Sequence, residues 1–164
     1  MFRIIIFAYT IKIGDEFMVI GIVSDHRGIY LKKTLIEYLE HSGYEVVNYG
    51  TDTDESVDFP EYAFKLGEGI KKKKVQYGIA ICGTGIGMSI ALNKVKGIYC
   101  AKISNINEAV LCRSHNNANA VAMSADIDSD VAKSMIDKFL TTSFSTDPKY
   151  KRRNDMIKDK EKNG

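Results

Sequence analysis

The sequence has no long apolar run. Its longest, Ile4–Ala8, falls far short of the roughly 17 to 25 residues that a membrane-spanning helix requires, so a soluble, cytoplasmic protein with no membrane partner is expected. Net charge is nearly absent as well. Lysine and arginine total 23 against 21 acidic residues, and the balance of +2 sets up no field that would gather nucleic acid. Three cysteines, Cys82, Cys100 and Cys112, are an odd number without a CxxC pair, which argues against a disulfide framework or a zinc site and suits a reducing compartment. Neither the dinucleotide fingerprint GxGxxG nor the GK[ST] ending of a nucleotide-triphosphate loop occurs, so no nucleotide cofactor is expected. Internal repeats and low-complexity stretches are missing too.

What remains is 164 residues, 45% of them hydrophobic, enough for one globular domain with a buried core. Residues 1–17 stand apart. Met18 opens a strand-like run and could itself be a start, so 1–17 is read as an N-terminal extension outside the fold; a genuine extra strand is the alternative. As a signal peptide the segment lacks a small-residue cleavage site before Lys12, Asp15 and Glu16. Residues 18–164 form the expected domain.

Within it, short branched apolar runs alternate with helical patterns. Val19–Val23 reads as a buried strand, followed by the polar turn Ser24-Asp25-His26-Arg27-Gly28. Leu31, Leu35 and Leu39 then recur at four-residue spacing before Gly43, predicting a helix over 30–41. The alternation continues with strands near 45–49, 77–82, 98–103 and 120–123, and helices near 61–74, 88–94, 107–114 and 129–140. The lysines at 71–74 are read as a solvated helix end, and the basic tail from Lys149 as an exposed helix or frayed end. Five strands with helical crossovers imply an α/β fold, a doubly wound, Rossmann-like parallel sheet with helices on both faces. Ligands of such folds bind beyond the carboxyl ends of the strands, where Asp25-His26 and residues 82–87 fall.

The segment Cys82-Gly83-Thr84-Gly85-Ile86-Gly87 lets backbone N–H groups approach an anion at the start of a helix. Cys82 is either a small core residue ending a buried strand or a thiol able to move a proton. His115, in the polar cluster Arg113-Ser114-His115-Asn116-Asn117-Ala118-Asn119, is either an ordinary loop histidine or a proton-transfer group. Asp25 and His26 suit a helix cap or contact with a sugar phosphate. His41 is read as surface, and Cys100 and Cys112 as packing.

These segments resemble type B ribose-5-phosphate isomerases and the related galactose-6-phosphate isomerase subunits. The resemblance rests on residues 24–28, Glu-Ser-Val-Asp-Phe-Pro at 55–60, Ile-Cys-Gly-Thr-Gly-Ile-Gly-Met-Ser-Ile-Ala at 81–91, Asn-Lys-Val-Lys-Gly at 93–97 and Ser-His-Asn-Asn-Ala-Asn at 114–119, in family order from Met18 to about Ile157. It implies an aldose–ketose isomerase that interconverts ribose 5-phosphate and ribulose 5-phosphate without metal or cofactor. In that reading Cys82 carries a proton between C1 and C2. The amides of Gly83, Thr84, Gly85, Ile86 and Gly87, with the Thr84 hydroxyl, stabilise the enediolate. His115 opens the sugar ring, and Asp25, His26 and Asn116 contact the substrate.

The resemblance also implies a homodimer or dimer of dimers with sites at the subunit interface. It departs from the family at the phosphate end. Asp126 stands where the family has an arginine, Lys149 stands at a second arginine position, and Arg153 matches a third. Either Lys149, Arg152, Arg153 and His26 suffice for ribose 5-phosphate, or the pocket takes another sugar phosphate such as allose or galactose 6-phosphate. A non-catalytic phosphate-binding protein of the same fold is a further alternative.

Overall fold

The computed structural model describes residues 12–13 and 16–164, with side chains from Met18 onward. In the N-terminal segment, β1 (Lys12–Ile13) pairs antiparallel with β2 (Glu16–Phe17), forming a two-stranded sheet separate from the main one. The rest of the expected extension, residues 1–11 and 14–15, lies outside the described residues.

Five parallel strands form the main sheet: β3 (Val19–Ser24), β4 (Glu45–Asn48), β5 (Tyr77–Cys82), β6 (Cys100–Lys102) and β7 (Ala120–Ser124), in spatial order β4-β3-β5-β7-β6. The side-chain period of two sorts their residues between two cores. Ile20, Ile22, Ile79, Ile81, Val121 and Met123 face one side, whereas Val23, Ala80, Cys82, Ala120 and Ala122 face the other. On the first side pack α1 (Ile29–His41), α4 (Ile106–Ser114) and α5 (Ser129–Thr141), through Leu35, Leu39, Cys112, Ile136 and Phe139. On the second pack α2 (Phe59–Lys71) and α3 (Ile86–Leu92), through Leu66, Met88 and Leu92. Near-complete burial of side chains such as Leu35 and Phe139 contributes roughly 1.5 to 3 kcal/mol each.

Several boundaries move from their expected places for identifiable reasons. The second helix begins at Phe59 because Pro60 fits its first turn, where no amide donor is needed, and it ends at Lys71. Lys73 adopts a positive φ of 57°, so the lysine run turns off the helix instead of extending it to Lys74. The third helix starts at Ile86, directly after Gly85. The Asn93 side chain ends it by donating to Cys100 O at 2.8 Å and accepting from Cys100 N at 2.9 Å. That clamp also shortens the strand expected over 98–103 to Cys100–Lys102. The basic tail is ordered as α6 (Pro148–Asn163), started by Asp147, whose carboxylate accepts from Lys149 N at 3.0 Å.

Strand order reverses between β3 and β5, since the chain leaves β3 for β4 on one side and returns through α2 to β5 on the other. The carboxyl ends of these two strands therefore flank the crevice that doubly wound sheets use for ligands. Among the described residues, no helix is long and apolar enough to cross a membrane.

Candidate functional site

The carboxyl rim at this crevice carries most of the residues singled out in the sequence. Asp25 is buried, and its backbone N–H donates to Ile81 O at 3.1 Å, tying the end of β3 to the end of β5. Its carboxylate accepts from Arg27 N at 2.9 Å, so it closes a local turn; Gly28, not Asp25, is the N-cap of α1. His26 accepts from Val57 N through Nδ1 at 3.3 Å, which fixes the imidazole against the loop leading to α2.

Cys82 ends β5 and is 5% exposed. Its Sγ accepts from Gly85 N at 3.1 Å, a backbone donor aimed at the sulfur. This contact depends on Gly85, which has φ of 78°, in the left-handed region that L side chains avoid. A Cβ there would also lie 2.8 Å from the Met123 carbonyl carbon. Thr84 is exposed, and its hydroxyl oxygen accepts from Ile86 N at 3.2 Å, leaving its proton free to donate. Gly87 lies under Phe59, whose ring would be 2.7 Å from a Cβ. On the far flank, Ala125 N donates to Cys82 O at 2.8 Å and Ser124 Oγ donates to Gly83 O at 2.8 Å.

The other two thiols have a different environment. Burial pushes Cys100 up to about 12 and Cys112 up to about 11, which keeps both neutral near pH 7. The Cys112 thiol donates to Ala109 O at 3.3 Å.

His115 and Asn116 are not brought to Cys82 within the chain. Helix α4 starts past the carboxyl end of β6 and runs back, leaving its C-terminal residues at the amino rim. There Arg113 donates through Nη2 to Tyr77 Oη at 3.0 Å, and Asn119 O accepts from Gly78 N at 3.0 Å. Tyr77 and Cys82 are the first and last residues of β5, so the two rims stand roughly 16 Å apart along that strand. A cavity of about 680 Å³ opens at the amino rim, lined in part by Tyr77, Arg113, Asn116, Asn154 and Lys158; Cys82 does not line it.

Two residues with no expected role organise His115. Tyr150 stacks on its imidazole, with ring centroids 4.1 Å apart. Asn154, buried in an otherwise exposed helix, donates to His115 O at 2.8 Å. The tail looked like a solvated charged helix because its single buried residue is a polar one. Lys149 and Arg153 lie at the same end: Lys149 Nζ pairs with Asp147 Oδ2 at 3.0 Å, and the Arg153 guanidinium is 6.0 Å from the Tyr150 ring. Asp126 is exposed on the carboxyl rim, its N–H donating to Ser124 Oγ at 3.1 Å. Among the described residues, no group of three or more His, Cys, Asp or Glu is placed to hold a metal ion.

Comparisons with known proteins agree with this architecture. The family model described as Ribose/Galactose Isomerase matches residues 20–157. D-erythrulose-4-phosphate isomerase of Pectobacterium atrosepticum is 40% identical over 127 residues, covering 76% of this chain and 84% of that protein. The structure of Clostridium thermocellum ribose-5-phosphate isomerase B superposes with a TM-score of 0.86 at 40% identity, covering 89% of this chain and 99% of the other. Ribose-5-phosphate isomerase B of Mycoplasma genitalium, solved with bound ribulose-5-phosphate, gives a TM-score of 0.85 at 36% identity, covering 90% and 98%. With a match over residues 20–157, this chain belongs to the Ribose/Galactose Isomerase family of enzymes.

Proposed function

We propose that this enzyme interconverts ribose 5-phosphate and ribulose 5-phosphate, with Cys82 as the proton carrier and with each active site assembled from two copies of the chain. The observation that carries the reading is the Gly85 N–H aimed at Cys82 Sγ, 3.1 Å away, at the crevice where strand order reverses. Cys82 is as buried as Cys100 and Cys112, but of the three it is the one that ends a strand at the crevice and meets the donors of the glycine loop, as a proton carrier there needs.

His115 first transfers a proton to open the furanose ring. The Cys82 thiolate then takes the proton from C2 of the open aldose. The C–H electron pair becomes the C1=C2 bond, and the carbonyl pair moves onto O1. Amides of the 83–87 loop and the Thr84 hydroxyl face the charge that develops there. The O2 proton passes to O1, C2 becomes the carbonyl, and sulfur returns its proton to C1. Asp25, His26 and Asn116 hold the substrate, and Lys149 and Arg153 serve its phosphate end.

Two copies are required because Cys82 ends β5 at the carboxyl rim while His115 follows α4 at the amino rim, and the rims stand roughly 16 Å apart along β5, too far for both to reach one five-carbon sugar. Apolar surface beside the Cys82 loop fits this assembly. Ile86 and Ile90, one turn apart on α3, are 54% and 59% exposed.

The test is turnover of ribose 5-phosphate by the wild type and by Cys82→Ala. Loss of about a hundredfold or more in kcat with an unchanged circular dichroism spectrum is expected. Retention of full activity in the variant would end the proton-carrier role. A second substrate reading is favoured by Asp126 on the carboxyl rim and by the Lys149–Asp147 pair, which leaves the phosphate end less cationic than the family pattern. Under that reading allose or galactose 6-phosphate is turned over faster than ribose 5-phosphate.

A further inference from the structure

We infer that Arg27 is the phosphate-binding cation on the Cys82 rim, an assignment that rests on the sugar-phosphate reading above. Arg27 follows Asp25 and His26 in the turn after β3, and its backbone is pinned by the hydrogen bond from Arg27 N to Asp25 Oδ1 at 2.9 Å. Its side chain lies across the glycine loop. A Cβ built on Gly83 would meet Arg27 Nη1 at 3.1 Å, Cδ at 3.3 Å and Cζ at 3.3 Å. The guanidinium therefore occupies the space that a side chain at position 83 would take, and Gly83 permits that approach.

Among the described residues, no carboxylate forms an ion pair with Arg27. Its planar fork of N–H donors is thus laid beside the Cys82 loop without an internal anion to satisfy it. That geometry suits a phosphate, which a guanidinium can engage through two parallel hydrogen bonds.

The opposite flank of the same glycine makes such a cation necessary. Ser124 Oγ donates to Gly83 O at 2.8 Å and accepts from Asp126 N at 3.1 Å, so the turn at Gly83 has Arg27 on one side and Asp126 on the other. An anionic substrate approaching this rim meets an acid from β7 and requires a compensating positive charge from β3. On this rim His26 is held by Val57 N at 3.3 Å, and the cations of the amino rim reach it only from a second copy. Arg113 is engaged at the amino rim by Asn117, Ala118 and Tyr77, and Lys149 pairs with Asp147. The positive charge has in effect changed flanks across the pocket, from position 126 to position 27.

Steady-state kinetics of wild type, Arg27→Ala and Arg27→Glu with ribose 5-phosphate, using inorganic phosphate as competitive inhibitor, tests the assignment. Arg27 is exposed, so neither substitution disturbs the core. Arg27→Ala should raise KM and the phosphate inhibition constant together by about tenfold, with kcat within about twofold. Arg27→Glu should raise both further. Unchanged KM and phosphate inhibition would overturn the assignment, as would a fall in kcat at constant KM, or equal effects of alanine and glutamate. If the wild type turned over no sugar phosphate, the isomerase reading would fail separately. Direct binding of inorganic phosphate would then decide the role of Arg27: weaker binding by Arg27→Ala supports it, and equal or undetectable binding in both overturns it.

Discussion

The imidazole of His115 lies flat on the phenol ring of Tyr150, with centroids 4.1 Å apart and planes inclined by only 11°. A stack of this kind restricts rotation of the histidine and leaves its ring edge, which carries both nitrogens, uncovered by the phenol, as the proposed ring-opening role requires. Aromatic pairs are worth roughly 0.5 to 1.5 kcal/mol beyond area burial, which corresponds to about two- to tenfold in a rate. Tyr150→Ala should therefore lower kcat/KM within that range, and Tyr150→Phe, which keeps the ring, should stay near wild type. Equal losses in both variants would assign the effect to the hydroxyl instead.

The separation of Cys82 from His115 predicts complementation. Cys82→Ala and His115→Ala, each inactive alone, should regain activity when unfolded together and refolded as a mixture. In a mixed dimer one of the two sites combines an intact Cys82 with an intact His115. Random pairing makes half of the dimers mixed, so recovery of about a quarter of wild-type activity is expected. No recovery, despite mixed dimers detectable by mass spectrometry, would show that the two residues do not share a site across subunits.

Lys32 offers a prediction about stability. Its ammonium is fully buried on α1 and donates to Asn48 Oδ1 at 3.0 Å, to Asp52 Oδ1 at 2.7 Å and to Thr51 O. It pins the 48–52 segment to the helix that follows Arg27. Lys32→Met would leave these acceptors without their donor and should cost about 2 to 4 kcal/mol, read as a lower denaturant midpoint.

The same contact gives a pH dependence. The Lys32 hydrogen bond, followed by that from Asn48, holds the Asp52 carboxyl below its ordinary value of 3.8. A depressed folded-state value stabilises the fold above the unfolded one. The contribution is present above about pH 4 and is lost as pH falls through the lowered folded value. Asp52→Asn should flatten the acid limb by lowering stability modestly near pH 7 and leaving it unchanged at acid pH, the loss being small because Asp52 is 72% exposed at its side chain and screened.

Thiol chemistry should separate the three cysteines. With burial raising Cys100 to about 12 and Cys112 to about 11, only about one part in ten thousand and one in a thousand is thiolate at pH 8. Alkylation at pH 8 should thus spare both in the native protein and label all three after unfolding, as peptide mass mapping would record. Rapid labelling of Cys100 in the native state would contradict its packed environment.

Much of the fold was legible from periodicity. The leucines at 31, 35 and 39 and the short apolar runs of β3, β5 and β7 each reflect burial against neighbouring elements, and both are visible in the sequence. The placement of half of the candidate site was equally readable, since Cys82 to Gly87 and Asp25-His26 sit where strands end in a doubly wound sheet. The amino-rim half was less so. That α4 carries His115 away from Cys82 follows from its direction of travel, which spacing does not encode until the sheet order is known. Tyr150 and Asn154 act through single contacts from a charged helix, and one buried asparagine produces no period. Arg27 carries no period or motif of its own, and its approach to Gly83 is a contact between positions more than fifty residues apart.

Placing Cys82 and His115 on opposite rims also bears on inheritance. Under the shared-site proposal, a chain damaged at His115 still lends its own Cys82 to the sound His115 of a partner copy, so a mixed pair keeps one working site and one faulty allele halves the activity without poisoning the other. Dilution acts differently: under the same proposal, activity should vanish below the concentration at which chains pair, even where each polypeptide keeps its fold.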